Sequence, residues 1–271
     1  MSASWAVSGL VAAVPRRLGA VFFDVSPDAY ARFMGRYSEP LAALFAGLAG
    51  IRRGQRALDV GCGPGALTAE LVRRLGGAAV GAVDPSEPFA AAVRERFPGV
   101  DVRLAAAEQL PFGDGAFDVT VAQLVVHFMA SPVAGLAEMG RVTRPGGVVA
   151  ACVWDHAGGR GPLAAFWQAV GELDPRAHDE SGLAGVREGH LAQLFGQAGL
   201  SVTRATALTV QVPHATFDDW WEPFTFGVGP AGAYVASLDA DHRAALRERC
   251  RVTVSPPATI SATAWAVTGR C

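Results

Sequence analysis

Apolar and polar positions follow two different rhythms along this chain. From residue 56 onward, short apolar runs alternate with stretches of helical spacing. Residues 56–60 read as a buried strand ending in Gly61-Cys62-Gly63-Pro64-Gly65, after which Leu67, Leu71 and Val72 recur as one face of a helix over 66–75. A second strand, 79–83, ends at Asp84, and Pro85-Ser86 opens a helix running to about residue 97. Residues 101–105 and 117–123 read as the third and fourth strands, 132–142 as a helix, and 148–154 as a fifth strand behind Arg144-Pro145-Gly146-Gly147. Strand and helix in strict alternation imply an α/β fold built on a parallel, doubly wound sheet.

Residues 158–162 break the pattern, and the texture then changes. Helical spacing returns over 163–173 and 188–198, with Gly199 as a stop signal before a strand at 201–212. An aromatic-rich helical segment follows at 217–226, then a helix at 241–251 and an alternating strand at 259–268. Ordered structure is expected to begin near Ser26, a helix-capping residue, with Pro27 in the first turn. Residues 1–25 are weakly patterned and read as an N-terminal extension. Their apolar stretch at 8–14 is followed, not preceded, by Arg16-Arg17, the reverse of a secretory signal. No apolar run approaches the roughly 18 residues of a membrane span. Residues 26–155 and 156–271 read as two parts of one domain.

Composition narrows the chemistry. All 23 basic residues are arginine, and lysine and asparagine are absent. That excludes Schiff-base and pyridoxal chemistry, a phosphate-binding loop that needs lysine, and N-glycosylation. With a net charge of −2 and arginines only in short pairs such as Arg52-Arg53 and Arg73-Arg74, nucleic acid is not the expected partner. The four cysteines lie far apart, so neither zinc nor a redox dithiol is expected, and free thiols in a reducing cytoplasm fit best. No spacing proposes a metal site, and none fixes an oligomeric state.

The turn at 61–65 carries the most information. Glycines between strand and helix let backbone approach a ligand, and the helix start beyond offers partly positive amides. Gly61, Gly63 and Ala66 also satisfy the dinucleotide fingerprint, a weak signal. Asp59 opposes that reading, because an acid just before the first glycine repels a pyrophosphate and suits a cationic amino group. Asp84, 25 positions further on, is placed to accept hydrogen bonds from both ribose hydroxyls. Around the end of the third strand, the Ala107 backbone and Glu108 could meet the polar edge of an adenine. The ordered series Asp59, Gly61, Gly63, Asp84 and Glu108 describes a ligand with an amino-acid tail, a ribose and an adenine.

In these segments the chain resembles the class I S-adenosylmethionine-dependent methyltransferases, in particular the small-molecule branch close to enzymes of ubiquinone and menaquinone biosynthesis. The resemblance runs from about Ser26 to Trp154 through residues 58–65, 83–86, 108–112, Phe117-Asp118 and 141–147. It implies a Rossmann-like seven-stranded sheet with an antiparallel last strand, to which 201–212 and 259–268 would correspond. S-adenosyl-L-methionine is the implied cofactor, its methionine part at Gly61, Cys62 and Gly63 and its ribose at Asp84, with Pro85 and Gln123 completing the set. Relatives commonly carry an aspartate where this chain has Ala106, which leaves adenine recognition to Ala107 and Glu108. The implied activity is methyl transfer to oxygen, nitrogen or carbon of a small acceptor such as a quinol, phenol or natural-product intermediate. The alternatives are a cofactor-binding protein or partner subunit without transfer and, weakened by Asp59, a nicotinamide oxidoreductase.

Three further assignments follow from the resemblance. Residues 30–38 are similar to the segment that closes over the cofactor, so Tyr30, Arg36 and Tyr37 could face its carboxylate or sulfonium; a surface helix is the alternative. His127, four residues beyond Gln123, is the candidate base, or else a structural histidine. Relatives insert a lid between the last two strands, here about 213–251, and Trp220, Trp221 and Phe224 could line an acceptor pocket or simply pack on the sheet. His156 and His214 are additional pocket candidates.

Overall fold

A computed structural model describes residues 25–271. The expected extension at 1–25 therefore lies, but for Val25, outside the described residues. Five parallel strands form first: β1 (Ala57–Val60), β2 (Val80–Asp84), β3 (Asp101–Leu104), β4 (Phe117–Gln123) and β5 (Thr143–Trp154). Two antiparallel strands follow, β6 (Ser201–His214) and β7 (Ala258–Arg270). The sheet order is β3-β2-β1-β4-β5-β7-β6, with β7 inserted antiparallel between β5 and β6. The order in which strands are added reverses between β1 and β4, which are parallel neighbours, and ligands bind outside the strand ends at such a point. β1 and β2 are buried throughout and apolar but for Asp59 and Asp84, since a central parallel strand is covered on both faces.

The sequence places 148–154 in the fifth strand, but β5 starts five residues earlier. Thr143 pairs with Phe117, and the register shifts before Val119 meets Val148, so Arg144-Pro145-Gly146-Gly147 is an irregularity within the strand. The helices alternate as expected: α1 (Pro27–Tyr30), α2 (Arg36–Leu48), α3 (Ala66–Leu75), α4 (Glu87–Arg96), α5 (Pro132–Val142), α6 (Ala164–Leu173) and α7 (His190–Gln197). Three more, α8 (Phe217–Trp221), α9 (Gly229–Ser237) and α10 (Ala240–Thr253), fill the connection between β6 and β7. Ser26 caps α1 by accepting a hydrogen bond from the Ala29 amide at 3.2 Å, and Pro27 begins that helix. A π-helical turn, Ala31–Gly35, joins α1 to α2.

The segment from α1 to α2 lies against the elements between β6 and β7. Arg36 donates to the Asp219 carbonyl at 2.9 Å and to its carboxylate at 3.1 Å. It also donates to Nδ1 of buried His214 at 3.1 Å, leaving His214 Nε2–H to donate to the Tyr37 hydroxyl at 2.9 Å. Burial and the Arg36 charge hold His214 below its ordinary proton affinity, which favours this neutral tautomer. The aromatic block packs inward beside this network. Phe166 and Phe224 stack with centroids 4.5 Å apart, and Phe33 meets Phe224 edge-on at 5.3 Å.

Candidate functional site

The turn after β1 is built to hold Asp84. Gly61 and Gly63 take positive φ (70° and 52°), and a Cβ on Gly61 would fall 2.5 Å from Val125 Cγ2, so no larger residue fits there. The Gly61 and Cys62 amides both donate to the Val83 carbonyl, at 2.8 and 2.9 Å. The Gly63 amide donates to Asp84 Oδ2 at 2.8 Å, and the Ser86 amide to Oδ1 at 2.9 Å. This corrects the expectation that the glycine amides meet a ligand, because residues 61–63 spend theirs inside the protein. Each Asp84 oxygen carries one internal bond and keeps capacity for one more, which suits a pair of vicinal hydroxyls.

Beyond the ends of β1, β2, β3 and β4 lies a cavity of about 350 Å³, within the size range of small-molecule sites. Its wall includes Gly61, Gly63, Asp84 and Pro85 on one side and Ala106, Ala107, Glu108 and Gln123 on the other. Tyr30 closes one end, edge-on to Phe89 with centroids 5.4 Å apart. Burial and the Asp84 charge hold the Tyr30 phenol above its ordinary value, so it stays protonated. Glu108 Oε1 accepts the Ser131 amide at 3.0 Å. Gln123 donates through Nε2 to the Ser38 carbonyl at 2.9 Å, tying α2 to the cavity, while its buried Oε1 has no partner among the described residues.

Asp59 and Cys62 stand behind this wall. Asp59 is 1% exposed; one oxygen accepts the Thr68 hydroxyl at 2.7 Å and the other has no partner among the described residues. Burial raises its carboxyl to about 7, against the opposing Thr68 bond and with a smaller push from the Asp84 charge. Burial likewise raises Asp84 to about 6, its two amide bonds opposing. Asp59 thus stands beneath the loop and not on the cavity wall, where the direct contact to an amino group was expected. The Cys62 thiol packs with Ala82 and Val93, and burial pushes its pKa well up, as befits a structural cysteine.

Two expected contacts lie elsewhere. Arg36 does not line the cavity, since its guanidinium is engaged by Asp219 and His214. Trp220, Trp221 and Phe224 are 2 to 5% exposed, pack in the core, and are not among the residues that line the cavity or the cleft beside it. A narrow second cleft, with about 30 Å³ of room, adjoins the cavity and shares Tyr30, Leu124 and Phe128 with it. His127, His156 and Glu180 are its polar groups, and Phe33, Met34 and the start of α9 complete it. His127 is buried, its Nδ1 has no partner among the described residues, and its ring centroid is 5.9 Å from that of His156. Burial, helped by His156, depresses its proton affinity well below that of a free imidazole.

Sequence reasoning missed several lining residues. Leu124 has φ 63°, unusual outside glycine and frequent at functional sites, and its amide donates to the Cys152 carbonyl at 2.8 Å. Its place directly after Gln123 was the available signal. Glu180 gives none, because it reaches the cleft from the irregular stretch between α6 and α7. Among the described residues no group of three or more ligating side chains could hold a metal ion.

A seven-stranded sheet with β7 antiparallel, and a cavity at the switch point whose wall carries the glycine turn and Asp84, is the fold of the class I S-adenosylmethionine-dependent methyltransferases. Residues 58–151 match a methyltransferase-domain family. The chain is 39% identical over 98 residues to a demethylmenaquinone methyltransferase of Beutenbergia cavernae, covering 36% of this chain and 40% of that one. It is 34% identical over 150 residues to a malonyl-[acyl-carrier protein] O-methyltransferase of Serratia marcescens, covering 53% and 57% respectively. The chain thus spans about half the length of these curated relatives or less. In structure it is similar to a geranyl diphosphate C-methyltransferase of Streptomyces coelicolor, solved with Mg²⁺, geranyl diphosphate and S-adenosyl-L-homocysteine. That likeness has a TM-score of 0.52 at 16% identity, covers 87% of this chain and 80% of the other, and shows the fold.

Proposed function

We propose that this protein transfers the methyl group of S-adenosyl-L-methionine to a small organic acceptor. The observation that carries the reading is Asp84, oriented by the Gly63 and Ser86 amides on the wall of a cavity of about 350 Å³. The residues fit the donor: Asp84 suits the ribose, Ala107 and Glu108 the adenine, and Gly61, Gly63 and Gln123 the methionine part. The buried charge of Asp59 and the face of Tyr30 favour the cationic end. When bound, the donor supplies an activated methyl on a sulfonium. The protein's part is to align the acceptor, exclude water and hold a neutral His127 toward the acceptor, and alignment alone supplies much of the acceleration. The elements between β6 and β7 serve as a lid that Arg36 fastens to the N-terminal segment.

Buried free thiols at Cys62, Cys152 and Cys250 fit a reducing compartment such as the cytoplasm. Among the described residues no helix is long and apolar enough to cross a membrane. Acidic and apolar cavity walls suit a small-molecule partner and not nucleic acid.

Incubation with methyl-labelled donor and a panel of phenols, quinols and amines is expected to yield labelled product from at least one acceptor. Tight donor binding without transfer to any would favour a binding role, and binding of a nicotinamide cofactor in its place an oxidoreductase. Asp84→Ala is expected to weaken donor binding by about 1–3 kcal/mol through loss of charge-assisted bonds. Because burial lifts the Asp84 carboxyl to about 6, wild-type donor affinity is expected to decline as pH falls through 6. Unchanged affinity for the variant in calorimetry would refute the assignment.

A further inference from the structure

The cleft that adjoins the cofactor cavity is apolar apart from Tyr30 and three polar side chains: His127, His156 and Glu180. Glu180 is the one charged group among them, and it is 4% exposed. One of its oxygens accepts Trp167 Nε1–H at 3.0 Å, and the other lies 3.9 Å from His156 Nε2. The chain has 23 arginines, yet among the described residues none lines the cleft or the adjoining cavity, whose own charged lining groups are Asp84 and Glu108. An anionic acceptor would have to leave water for a site that offers no arginine and already holds a buried carboxylate. Both the desolvation of the anion and its repulsion by Glu180 oppose entry.

We propose that Glu180 makes the cleft selective for acceptors that are uncharged at their reacting end and carry an ionisable hydroxyl, of the phenol or enol class, and excludes carboxylates and phosphates. This rests on the methyl-transfer reading. With about 30 Å³ of room, the cleft admits the reacting head of such a molecule and not its whole body. The charge balance of the reaction supports the choice. The acceptor oxygen forms its bond to the methyl carbon as the carbon–sulfur bond breaks and leaves its electron pair on sulfur, and the hydroxyl proton passes to His127. One positive charge is thereby lost at sulfur and one appears on imidazole. The Glu180 carboxylate, 3.9 Å from His156 Nε2 and in the same cleft as His127, is the buried anion available to offset that imidazolium charge. Burial, helped by His156, makes protonation of His127 unfavourable, so a buried anion beside His156 has a definite electrostatic task.

The test is equilibrium binding of a 4-alkylphenol and the matched 4-alkylbenzoate to the full chain saturated with S-adenosylhomocysteine, followed by tryptophan fluorescence, alongside label transfer from the methyl donor. Wild type is expected to prefer the phenol by on the order of 30-fold or more. Glu180→Gln, which keeps an acceptor for Trp167, is expected to reduce that preference to within about fivefold while S-adenosylhomocysteine affinity stays unchanged. Equal binding of phenol and benzoate by wild type, a result that needs no variant, would overturn the proposal. So would an unaltered preference in a Glu180→Gln protein that still binds S-adenosylhomocysteine. Selective phenol binding without label transfer would uphold the charge selection and count against methyl transfer, which keeps the two failures apart.

Discussion

Replacing Asp59 with asparagine is expected to remove about 2–3 kcal/mol from the loss of stability that the wild type suffers between pH 5 and pH 8. The cause is an acid buried beneath the glycine turn with one oxygen unpartnered among the described residues, its carboxyl raised from 3.8 to about 7. Between about pH 4 and 7 the folded chain retains a proton on Asp59 that the unfolded chain has released. The unfolding free energy therefore falls as pH climbs through that window and levels off above 7, the reverse of the usual salt-bridged carboxylate. Asp84, raised to about 6, acts in the same direction over a shorter window and persists in the variant. Urea unfolding of both proteins at pH 5 and pH 8 measures the difference. Parallel pH profiles would mean that Asp59 ionises normally. A cationic ligand bound above the loop favours the ionised acid, so the stabilising change comes at the expense of donor affinity. That is a reason for the chain to keep an acid where the fold disfavours one.

Removing the imidazole of His127 is expected to lower turnover by about 100-fold or more, with donor affinity within about twofold of wild type. His127 faces the cleft beside the cofactor cavity and lines the former only, which is why binding and turnover separate. Single-turnover rates for His127→Ala, set against calorimetric donor affinity, provide the check. A rate within threefold of wild type would leave alignment as the sole source of acceleration. A matching loss of donor binding would make the residue structural.

The sheet was legible because its information is local. Apolar runs followed by a glycine turn or an acid mark the ends of β1 and β2, and the observed bounds of α3, β4 and α5 coincide with those expected from periodicity. The start of β5 was not legible, since Pro145 and two glycines read as a turn while pairing with β4 keeps them in the strand. Within the site, Asp84, Pro85, Ala107, Glu108 and Gln123 line the cavity, and all stand at or just after strand ends that local pattern locates. Arg36 could not be assigned this way, because its partner Asp219 is 183 positions away and only the tertiary fold reveals that its donors are taken. The aromatic block has the same difficulty: the composition of residues 217–226 suits a pocket and a core equally, and only the tertiary fold shows its rings packed together in the core, Phe224 against Phe33 and Phe166. Glu180 shows the converse, an unpatterned residue that becomes informative only once burial and the neighbouring imidazole are seen.

Binding of S-adenosylhomocysteine, measured by titration calorimetry on wild type and Asp84→Ala at pH 7.5, tests the central claim most directly. One site per chain is expected in the wild type and an affinity lower by about 1–3 kcal/mol in the variant, with the variant still folded by circular dichroism. No binding by a folded wild type, or equal affinity in the two proteins, would contradict it.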